Sequence, residues 1–307
     1  LVRKMVIGSD VTETPLRIEQ ARAVRDGLAR LLYGRMFLWI IARINMTLMS
    51  GGDAKSSPET QLLGVLDIAG FENFDINSLE QLLINLSNEH LQQNFNRVLI
   101  KEEMEDCARE GVAVPDIGSF SDNADCLMLI DGKAGILDLL DETMVVPKAT
   151  DMTFVTKVVK QQEKQKRFIG NKVARLGFGV HHFAGDVTYT CEGWLEKNAD
   201  RPPDNAAELL TSSTVEVLQE IGKSMVAEVE ASKGKGAAGR GKARKAKSVS
   251  ALFRESLKSL LEKIAAADPH YIRCVKPNKE KVPGKFVARM VLEQLLLGGV
   301  LATVKIR

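Results

Sequence analysis

Aromatic residues, cysteines and long apolar runs are all scarce in this sequence. Only 5% of the 307 residues are aromatic, and the four cysteines are widely scattered. Neither a Cys-x-x-Cys nor a His-Glu-x-x-His pattern occurs, so we expect no zinc site and a reducing compartment. The longest apolar run, residues 36–42, is far too short to cross a bilayer. We also find no signal-peptide pattern, so nothing in the sequence predicts secretion.

A strong net charge and a phosphate-binding loop are two further absences. With 42 Lys and Arg against 40 Asp and Glu, the formal net charge is +2, so any basic patch must be local. No Gly-x-x-x-x-Gly-Lys-Ser/Thr pattern occurs, which excludes a P-loop that cradles nucleotide phosphates within these residues. Because 45% of the residues are hydrophobic, the chain can still bury a sizeable core.

The most informative stretch is residues 62–72, which read Leu-Leu-Gly-Val-Leu-Asp-Ile-Ala-Gly-Phe-Glu. Its apolar start predicts a buried central strand, and Asp67 stands where that strand ends. Open α/β sheets bind ligands at this edge. Gly70 lets a backbone N–H approach a phosphate, while Asp67 and Glu72 offer oxygens to metal-bound water or to a facing loop. An ordinary buried strand followed by a turn is the alternative on these residues alone.

A series of motifs resembles the motor domain of myosins. The blocks follow one another in the family's order and at about its spacing, over nearly the whole chain. They are 67–72 (DIAGFE), 77–82 (NSLEQL), 88–93 (NEHLQQ), 147–151 (PKATD), 193–198 (GWLEKN) and 269–278 (PHYIRCVKPN).

The resemblance implies an α/β, helix-rich fold class: part of the P-loop NTPase-like myosin motor, with a twisted central sheet and long flanking helices. It identifies 1–307 as a partial motor domain. Its expected parts are a loop and long helix (1–60), the switch II strand, relay helix and relay loop (61–125), the lower actin-binding subdomain (126–231), the basic disordered loop 2 (232–247), and a helix, transducer strand and start of the reactive-thiol helices (248–307).

By resemblance, Asp67, Gly70 and Glu72 form switch II and have catalytic roles in the complete motor. Asp67 would hold the water shell of Mg²⁺, and the Gly70 N–H would sense the γ-phosphate of ATP. Glu72 would pair with an Arg of switch I and help to position the attacking water. ATP and Mg²⁺ are thus expected for the complete motor, an actin-activated ATPase. The chain alone, with no P-loop and no switch I, is expected to bind neither and to be inactive.

Two long helices are predicted at 18–48 and 77–109, because apolar residues recur there at helical spacing. The second follows the phosphate sensor directly and resembles the relay helix, so movement at Gly70 would pass into a stiff rod. An ordinary core helix is the alternative. In the loop at 111–122 a valine replaces the usual aromatic residue, which puts contact with a converter in doubt. The residues expected to couple mechanically are Asn88, Glu89, Gln92, Gln93, Val114 and Gly299.

Filamentous actin is the partner that the resemblance implies. Apolar residues at 144–146 form the tip between two predicted helices, and an exposed apolar tip is typical of a partner surface. Residues 232–247 contain Gly, Ala, Lys and Arg but no acid, so they cannot build a core and are predicted to be disordered. The expected actin contacts are Arg3, Lys4, Met144, Val145, Val146, Pro147, Lys148, Lys233, Lys235, Arg240, Lys242, Arg244, Lys245, Lys247, Leu257, Lys258, Leu261, Lys263, His270, Arg273 and Lys276.

Local patterns predict the remaining elements. Alternation at 178–190 indicates a hairpin that turns at Gly185 and Asp186, and its adjacent His181 and His182 point to opposite faces, so they cannot easily share a metal. We expect a surface hairpin or loop at 2–16, helices at 126–143 (split by Gly132 and Gly135), 152–159 (capped by Thr150 or Asp151), 206–229 and 250–267, a solvated loop at 161–175, and a second buried strand at 271–275.

Two other functional classes are open at this point. One is a non-motor actin-binding protein derived from myosin, in which the nucleotide half is lost or inert. The other is a nucleic-acid binder, which is disfavoured because no aromatic residues interleave the basic segment. We expect a cytoplasmic, cytoskeletal location in a myosin complex, without a membrane segment. The remaining partners would be the N-terminal half of the motor, and light chains or calmodulin only through a lever arm that this chain does not contain.

Overall fold

The computed structural model divides the chain into two compact units. The first comprises Leu1–Val65 and Asp200–Ala246, and the second comprises Leu66–Ala199 and Lys247–Arg307. Both units therefore join stretches that are far apart in the sequence. The residues that the structure describes are 2–7, 10–50, 63–112, 123–170, 175–199, 203, 205–234, 248–298 and 300.

Helices account for most of the described residues, which confirms the prediction of a helix-rich chain. The elements follow one another in the order β1 (Val2–Ile7), β2 (Asp10–Pro15), α1 (Ile18–Ser50), α2 (Leu79–Glu110), α3 (Ala124–Asp131), α4 (Ile136–Met144), α5 (Asp151–Gln162), β3 (Phe168–Ile169), β4 (Gly177–His182), β5 (Gly185–Thr190), α6 (Trp194–Ala199), α7 (Ala206–Thr211), α8 (Glu216–Gly234), α9 (Val249–Ala265) and α10 (Ala288–Leu297).

In the first unit, a two-stranded hairpin precedes the long helix α1. Strands β1 and β2 pair antiparallel along their full lengths, as one of the two predictions for residues 2–16 required. Helix α1 contacts α8, where Glu220 accepts hydrogen bonds from Trp39 Nε1 and Arg43 Nη2, both at 2.7 Å. Tyr33 nevertheless remains 70% exposed. Within this unit α8 therefore covers only part of the apolar surface of α1.

The helix predicted at 206–229 is in fact two helices, α7 and α8. The serines between them favour a break, since Ser212 Oγ donates to the carbonyl of Leu209 at 3.0 Å and Ser213 Oγ accepts from the N–H of Val215 at 3.1 Å. Such local side-chain bonds compete with helix continuation. Gly222 permits the close packing of the two helices, because a Cβ there would lie 2.5 Å from the backbone nitrogen of Thr211.

The core of the second unit lies where α2 meets helices α3 to α6, α9 and the sheet of β3, β4 and β5. Leu82, Leu86, Ile130, Leu140 and Trp194 are all buried, none of them with any measurable exposed surface. Burial of a large apolar side chain stabilises a fold by about 1.5–3 kcal/mol. These residues come from four helices, so the core depends on all of them.

Polar residues fix the ends of the helices in this unit. At the start of α2, the N–H of Ser78 donates to Gln81 Oε1 at 2.9 Å. The helix ends at Gly111, whose φ of 68° is a left-handed conformation that glycine adopts at low cost. The Thr150 hydroxyl accepts a hydrogen bond from the N–H of Thr153 at 3.3 Å. This confirms Thr150 as the cap of α5.

Two glycines separate α3 from α4, as predicted. A Cβ at Gly132 would lie 2.4 Å from the carbonyl oxygen of Met128, and one at Gly135 would lie 2.8 Å from the carbonyl oxygen of Gly132. Larger residues at either position would force the backbone apart. The break turns α4 back against α5 and the core.

The three-stranded sheet has the order β3-β4-β5, and both pairs are antiparallel. The predicted hairpin forms, but its turn was placed wrongly. His182 pairs with Gly185, so Phe183 and Ala184 make the turn, and Asp186 already belongs to β5. Gly185 has a φ of 136°, a backbone conformation that residues with a side chain rarely adopt. This explains why a glycine occupies the position after the turn.

Two predicted strands do not form, and one predicted loop contains a strand. Residues 63–66 and 271–275 have no regular structure, and Leu63 is 91% and Ile272 86% exposed. A strand requires a hydrogen-bonded neighbour, and the described residues place none beside either segment. The part of the chain that the structure describes therefore contains no twisted central sheet. The predicted loop at 161–175 includes the short strand β3.

Two global features complete the fold. Over the described residues, no helix is long and apolar enough to span a membrane. All four cysteines are free thiols, and Cys126 and Cys191 are buried. Burial raises the pKa of the Cys191 thiol, so this residue stays protonated and packs as a small apolar group.

Candidate functional site

The loop at residues 67–72, which we call the sensor loop, lies along one face of α2. The Asn85 side chain accepts a hydrogen bond from the N–H of Glu72 and donates one to its carbonyl, both at 2.8 Å. Asn88 Nδ2 donates to the carbonyl of Ala69 at 3.1 Å, and Gln81 Nε2 donates to Glu72 Oε2 at 3.2 Å. Residues 81, 85 and 88 share one helix face, so α2 holds the loop at successive turns.

The other side of the sensor loop is open. Asp67 and Gly70 are exposed, and a Cβ at Gly70 would meet no atom within 4 Å. Phe71 packs inward, with its ring edge-on to those of His182 at 5.2 Å and Phe183 at 5.5 Å. The loop therefore offers a carboxylate and a backbone N–H on an accessible surface. These groups suit hydrated Mg²⁺ and a phosphate oxygen, respectively.

A short turn joins the sensor loop to α2, and Asn77 organises it. Asn77 is 2% exposed; its Oδ1 accepts from the N–H of Phe74 at 2.8 Å, and its Nδ2 donates to the carbonyl of Thr188 at 3.1 Å. The N–H of Thr190 also donates to the Asn77 carbonyl at 2.8 Å. Strand β5 thus anchors the turn, so loop, helix and sheet form one connected assembly.

Of the residues predicted to couple mechanically, Asn88, Glu89, Gln92 and Gln93 all lie on α2. Glu89 is entirely buried. The sequence did not predict that burial, nor the role of Asn85, which is also fully buried. The sequence did contain a signal for both, since each is a polar residue among the apolar positions of α2. A polar group buried at such a position must find hydrogen-bond partners.

Donors surround the Glu89 carboxylate. Oε1 lies 2.8 Å from His182 Nδ1, 3.2 Å from Cys126 Sγ and 3.0 Å from the N–H of Phe183, and Oε2 accepts from Asn123 Nδ2. Burial alone would raise the pKa of Glu89, but the hydrogen bond and charge interaction with His182 and the other donors hold that pKa below its usual range. The carboxylate therefore stays ionised in the core.

Glu89, Cys126 and His182 also place three possible metal-ligand atoms within 4.8 Å of one another. Each of these atoms already takes part in a hydrogen bond, so the cluster is explained without an ion. The adjacent histidines do point to opposite faces, as predicted. His182 is 5% exposed, whereas His181 faces out and lies 2.5 Å from Asp186 Oδ1.

The predicted contact tip between α4 and α5 is exposed. Val145 is 46% and Val146 51% exposed; Pro147 and Lys148 are exposed as well, while Met144 is half-buried. An adjacent apolar pair on a protruding turn is typical of a surface that a partner covers. The structure thus leaves this tip accessible to a partner.

Helix α9 divides the predicted contact residues between core and surface. Leu257 is only 6% exposed and belongs to the core, which disfavours a contact role for its side chain, although its predicted role stays a prediction. Leu261 packs partly against the same core. Lys258 and Lys263 are exposed. The helix therefore presents Lys258 and Lys263 to solvent, together with Leu252, which is 51% exposed.

The segment after α9 contacts α2. Arg273 Nη2 donates to Gln92 Oε1 at 3.2 Å, and its guanidinium carbon lies 5.1 Å from the centre of the Phe95 ring. Such a position over an aromatic ring adds a cation–π interaction. His270 and Lys276 are exposed. Arg273 thus ties this segment to the helix, while its two basic neighbours remain accessible.

The other predicted residues have only a coarse placement or none. Arg3 and Lys4 lie in β1, and Lys233 lies in the last turn of α8. The predictions for Val114, Gly299 and the rest of the basic segment stay predictions. The residues outside the described part of the chain are Val114, Lys235, Arg240, Lys242, Arg244, Lys245, Lys247 and Gly299.

Comparison with known proteins adds independent information. The whole chain, residues 1–307, matches the family described as Myosin head (motor domain). The chain is 40% identical over 313 residues to Myosin-3 of Caenorhabditis elegans, a match that covers 98% of this chain and 16% of that protein. It is 39% identical over 308 residues to Myosin-6 of Arabidopsis thaliana, which covers 100% of this chain and 19% of that protein.

The chain therefore spans less than a fifth of the length of each of these two relatives. The match is nevertheless continuous along this chain and agrees with the blocks of sequence identified above. Because the family match extends from the first residue to the last, this chain belongs to the myosin head (motor domain) family.

Proposed function

We propose that this chain is part of an actin-based, ATP-driven motor, and that its sensor loop reads the phosphates of ATP. The observation that carries the proposal is the attachment of the loop to α2. Asn85 and Asn88 hold its backbone at Glu72 and Ala69, while its outer side stays open at Gly70. A loop that is free towards a ligand and fixed to a long helix suits a sensor that drives a mechanical element.

Each exposed group of the loop has a definite role in this proposal. Asp67 orients the water shell of Mg²⁺, and the Gly70 N–H donates to the γ-phosphate. Glu72 pairs with a cation supplied from elsewhere in the protein and helps to position the attacking water. When bound, Mg-ATP would supply the leaving group and the charge neutralisation, and Asp67 and the Gly70 N–H would face it.

Helix α2 serves as the relay in this proposal. It contains 32 residues and is therefore roughly 48 Å long at 1.5 Å per residue. A displacement of the sensor loop pulls on three successive turns of the helix through Gln81, Asn85 and Asn88. Val114 and Gly299 belong to the contacts at which this movement reaches the rest of the motor.

The actin surface combines an apolar patch and local positive charge. The tip at Val145 and Val146 supplies apolar contact, with Pro147, Lys148 and the exposed half of Met144 around it. Basic residues then steer association, because charges at the rim of an interface act mainly on the association rate. They are Arg3, Lys4, Lys233, Lys235, Arg240, Lys242, Arg244, Lys245, Lys247, Lys258, Lys263, His270, Arg273 and Lys276. A motor of this kind works on the cytoskeleton of the cytoplasm.

The decisive experiment substitutes Gly70→Ala in the full-length protein. A Cβ at Gly70 meets nothing within 4 Å, so the substitution leaves the fold of this chain intact and disturbs only a ligand. The backbone N–H remains in the variant, but the added methyl group would obstruct the approach of the phosphate to it. We therefore expect ATP hydrolysis in a quench-flow assay to slow about 10²- to 10³-fold, the typical effect of losing one donor to developing charge.

Gly64→Ala is the matched control, since a Cβ there also meets nothing within 4 Å and Gly64 lies before the sensor loop. We expect that variant to hydrolyse ATP within about twofold of the unmodified protein. Equal rates in all three proteins would overturn the sensor assignment. A full-length protein that binds actin but never hydrolyses ATP would instead support a non-motor actin-binding protein derived from myosin.

A further inference from the structure

A continuous path of hydrogen bonds crosses the core of the second unit. Asn85 Nδ2 donates to the hydroxyl of Tyr189 at 2.9 Å. That hydroxyl lies 2.8 Å from His182 Nε2, and His182 Nδ1 lies 2.8 Å from Glu89 Oε1. The path joins Asn85 to Glu89, one turn further along α2, through two side chains of the sheet.

One end of the path reaches backbone outside the core, and the other reaches the buried start of α3. At one end, Asn85 holds the N–H and the carbonyl of Glu72 in the sensor loop. At the other end, Asn123 Nδ2 donates to the Glu89 carbonyl at 2.8 Å and to its carboxylate. The carbonyl of Asn123 in turn accepts from the N–H of Cys126 at 3.0 Å, at the start of α3. The path therefore connects the sensor loop with the beginning of another helix.

Between Asn85 and Glu89 the donors point in one direction, and Asn123 donates to Glu89 from the opposite side. The N–H of Glu72 occupies Asn85 Oδ1, so the Asn85 amide group can only donate to Tyr189. The Tyr189 hydroxyl proton is then free for His182 Nε2, and the Nδ1 proton of His182 faces the Glu89 carboxylate. Bonds aligned in this way polarise one another, so each depends on its neighbours.

Water cannot substitute for these bonds. Asn85, Glu89 and Tyr189 are each 0% exposed, and Asn123 and His182 are 2% and 5% exposed. A buried donor or acceptor that loses its partner costs about 1–3 kcal/mol. If one residue of the path moves, its neighbour must therefore either hold it in place or move with it, because water cannot replace the lost hydrogen bond.

The simpler explanation is that these buried polar groups only stabilise the core. The two ends of the path argue against this explanation. A network that only stabilises the core would close within the core, whereas this one ends on the backbone of the exposed sensor loop. Its far end also carries an atom that has no hydrogen-bond partner within the described residues, Asn123 Oδ1. A buried oxygen without a partner lowers the stability of the fold, so a network that served only stability would be expected to satisfy it.

We propose that Tyr189, His182 and Glu89 are positioning residues that couple the conformation of the sensor loop at Glu72 to that of Asn123 at the start of α3. They act through Asn85 and touch no substrate. The purpose of this coupling rests on the function proposed above. The coupling would transmit a movement of the sensor loop to α3, in addition to the direct contacts that transmit it to α2.

The test compares Tyr189→Phe with Thr143→Val in the full-length protein. Tyr189→Phe removes only the hydroxyl in the middle of the path. Thr143→Val is the matched control, because Thr143 is 2% exposed and its hydroxyl donates to the Leu139 carbonyl at 2.6 Å, away from the path. Amide hydrogen exchange is followed by mass spectrometry in peptides that contain Glu72 and in peptides that contain Cys126.

We expect Tyr189→Phe to speed exchange about fivefold in both peptides, the effect of losing one hydrogen bond, after normalisation to the exchange of α5. Thr143→Val should leave both normalised rates unchanged. Asn123→Ala, at the far end, should speed exchange at Glu72 about twofold although the two residues do not touch. Equal normalised rates in Tyr189→Phe and Thr143→Val, or no effect of Asn123→Ala at Glu72, would overturn the coupling.

A nucleotide arm separates this inference from the proposed function. Exchange at Glu72 is measured with and without Mg-ATP in the unmodified protein and in Tyr189→Phe. If nucleotide slows exchange at Glu72 in both proteins but reaches the Cys126 peptide only in the unmodified one, both proposals are supported. If nucleotide changes nothing while Tyr189→Phe still acts on both peptides, the coupling stands and the phosphate-sensor assignment fails.

Discussion

The side chain of Asn85 holds both backbone polar groups of Glu72. The Glu72 N–H donates to Asn85 Oδ1 and Asn85 Nδ2 donates to the Glu72 carbonyl, each at 2.8 Å. One amide thus reproduces the pairing of a neighbouring strand at Glu72, next to Phe71, which packs against the core. The loop cannot shift at Glu72 without moving Asn85, and Asn85 is part of α2.

Asn85→Ala should therefore destabilise the chain far more than an ordinary surface substitution. The change removes the partner of the Glu72 N–H, the Glu72 carbonyl and the buried Tyr189 hydroxyl. We expect the free energy of unfolding in urea to fall by about 2–4 kcal/mol. Gln81→Ala, which removes one bond to Glu72 and one to Ser78 at the helix start, should cost about 1 kcal/mol. Equal losses would show that Asn85 does not anchor the loop.

Glu72→Ala should slow ATP turnover in the full-length protein. The carboxylate is the group that we assign to a cation outside this chain, and leaving that cation unpaired is costly. We expect steady-state turnover to fall at least tenfold. Glu80→Ala is the matched control, because Glu80 pairs with the exposed Lys197 at 2.9 Å and lies outside the loop. Turnover as fast in Glu72→Ala as in Glu80→Ala would exclude the predicted ion pair.

The stabilising effect of Glu89 should disappear in acid. Hydrogen bonding to His182 and the other donors outweighs burial and lowers the pKa of Glu89 in the folded state, whereas an unfolded glutamate has a pKa of about 4.3. A lowered folded pKa contributes stability that is present above the unfolded pKa and is lost as the pH falls through the folded pKa. Cys126, Tyr189 and Arg167 also influence this site electrostatically.

The measurement compares the free energy of unfolding of the unmodified chain and Glu89→Gln between pH 7 and pH 3. We expect the difference between the two proteins to be constant above about pH 5 and to shrink below it. Glu192→Gln, a change at an exposed position, should show no such trend. A difference that grows on acidification would contradict the lowered pKa.

The basic segment should control how salt affects actin binding. Its charges act over a Debye length of about 10 Å at 0.1 M salt, so they assist association mainly at low ionic strength. Changing the seven Lys and Arg residues between 233 and 247 to Ala or Ser should weaken co-sedimentation with filamentous actin and remove most of its salt dependence. Identical salt dependence in both proteins would rule out a steering role for the segment.

A double variant, Val145→Ser and Val146→Ser, tests the apolar tip in the same co-sedimentation experiment. It removes exposed apolar surface but no charge, so binding should weaken by about tenfold or less at every salt concentration. Its salt dependence should match that of the unmodified protein. A change in salt dependence without a loss of affinity would show that the tip lies outside the contact.

Local sequence signals predicted the features that depend on neighbours in the chain. The spacing of Leu79, Leu82 and Leu86 predicted α2 because one helix face must be apolar to be buried. Thr150 and Asp151 were the two candidate caps of the next helix, because either side chain can satisfy a free N–H at the helix start. The alternation around His182 correctly predicted that this histidine and His181 point to opposite faces, since side chains alternate along a strand.

Features that depend on distant partners could not be predicted in the same way. The apolar run at 62–66 has the length and composition of a buried strand, but a strand exists only beside another strand. Likewise, the apolar stripe of α9 did not distinguish Leu257, which is buried in the core, from a leucine that meets a partner. The spacing of apolar residues indicates that one helix face is apolar. It does not indicate whether the core of the same chain or a partner protein covers that face.

By itself, the sequence determined the family and the positions of the long helices, because these depend on residue types at fixed spacings along one chain. Only the tertiary structure decided that Glu72, Asn85, Glu89, Asn123, His182 and Tyr189 form one connected path. Hydrogen bonds act over about 3 Å, and residues as far apart as 72 and 189 come within that distance only when the core packs the sheet against α2.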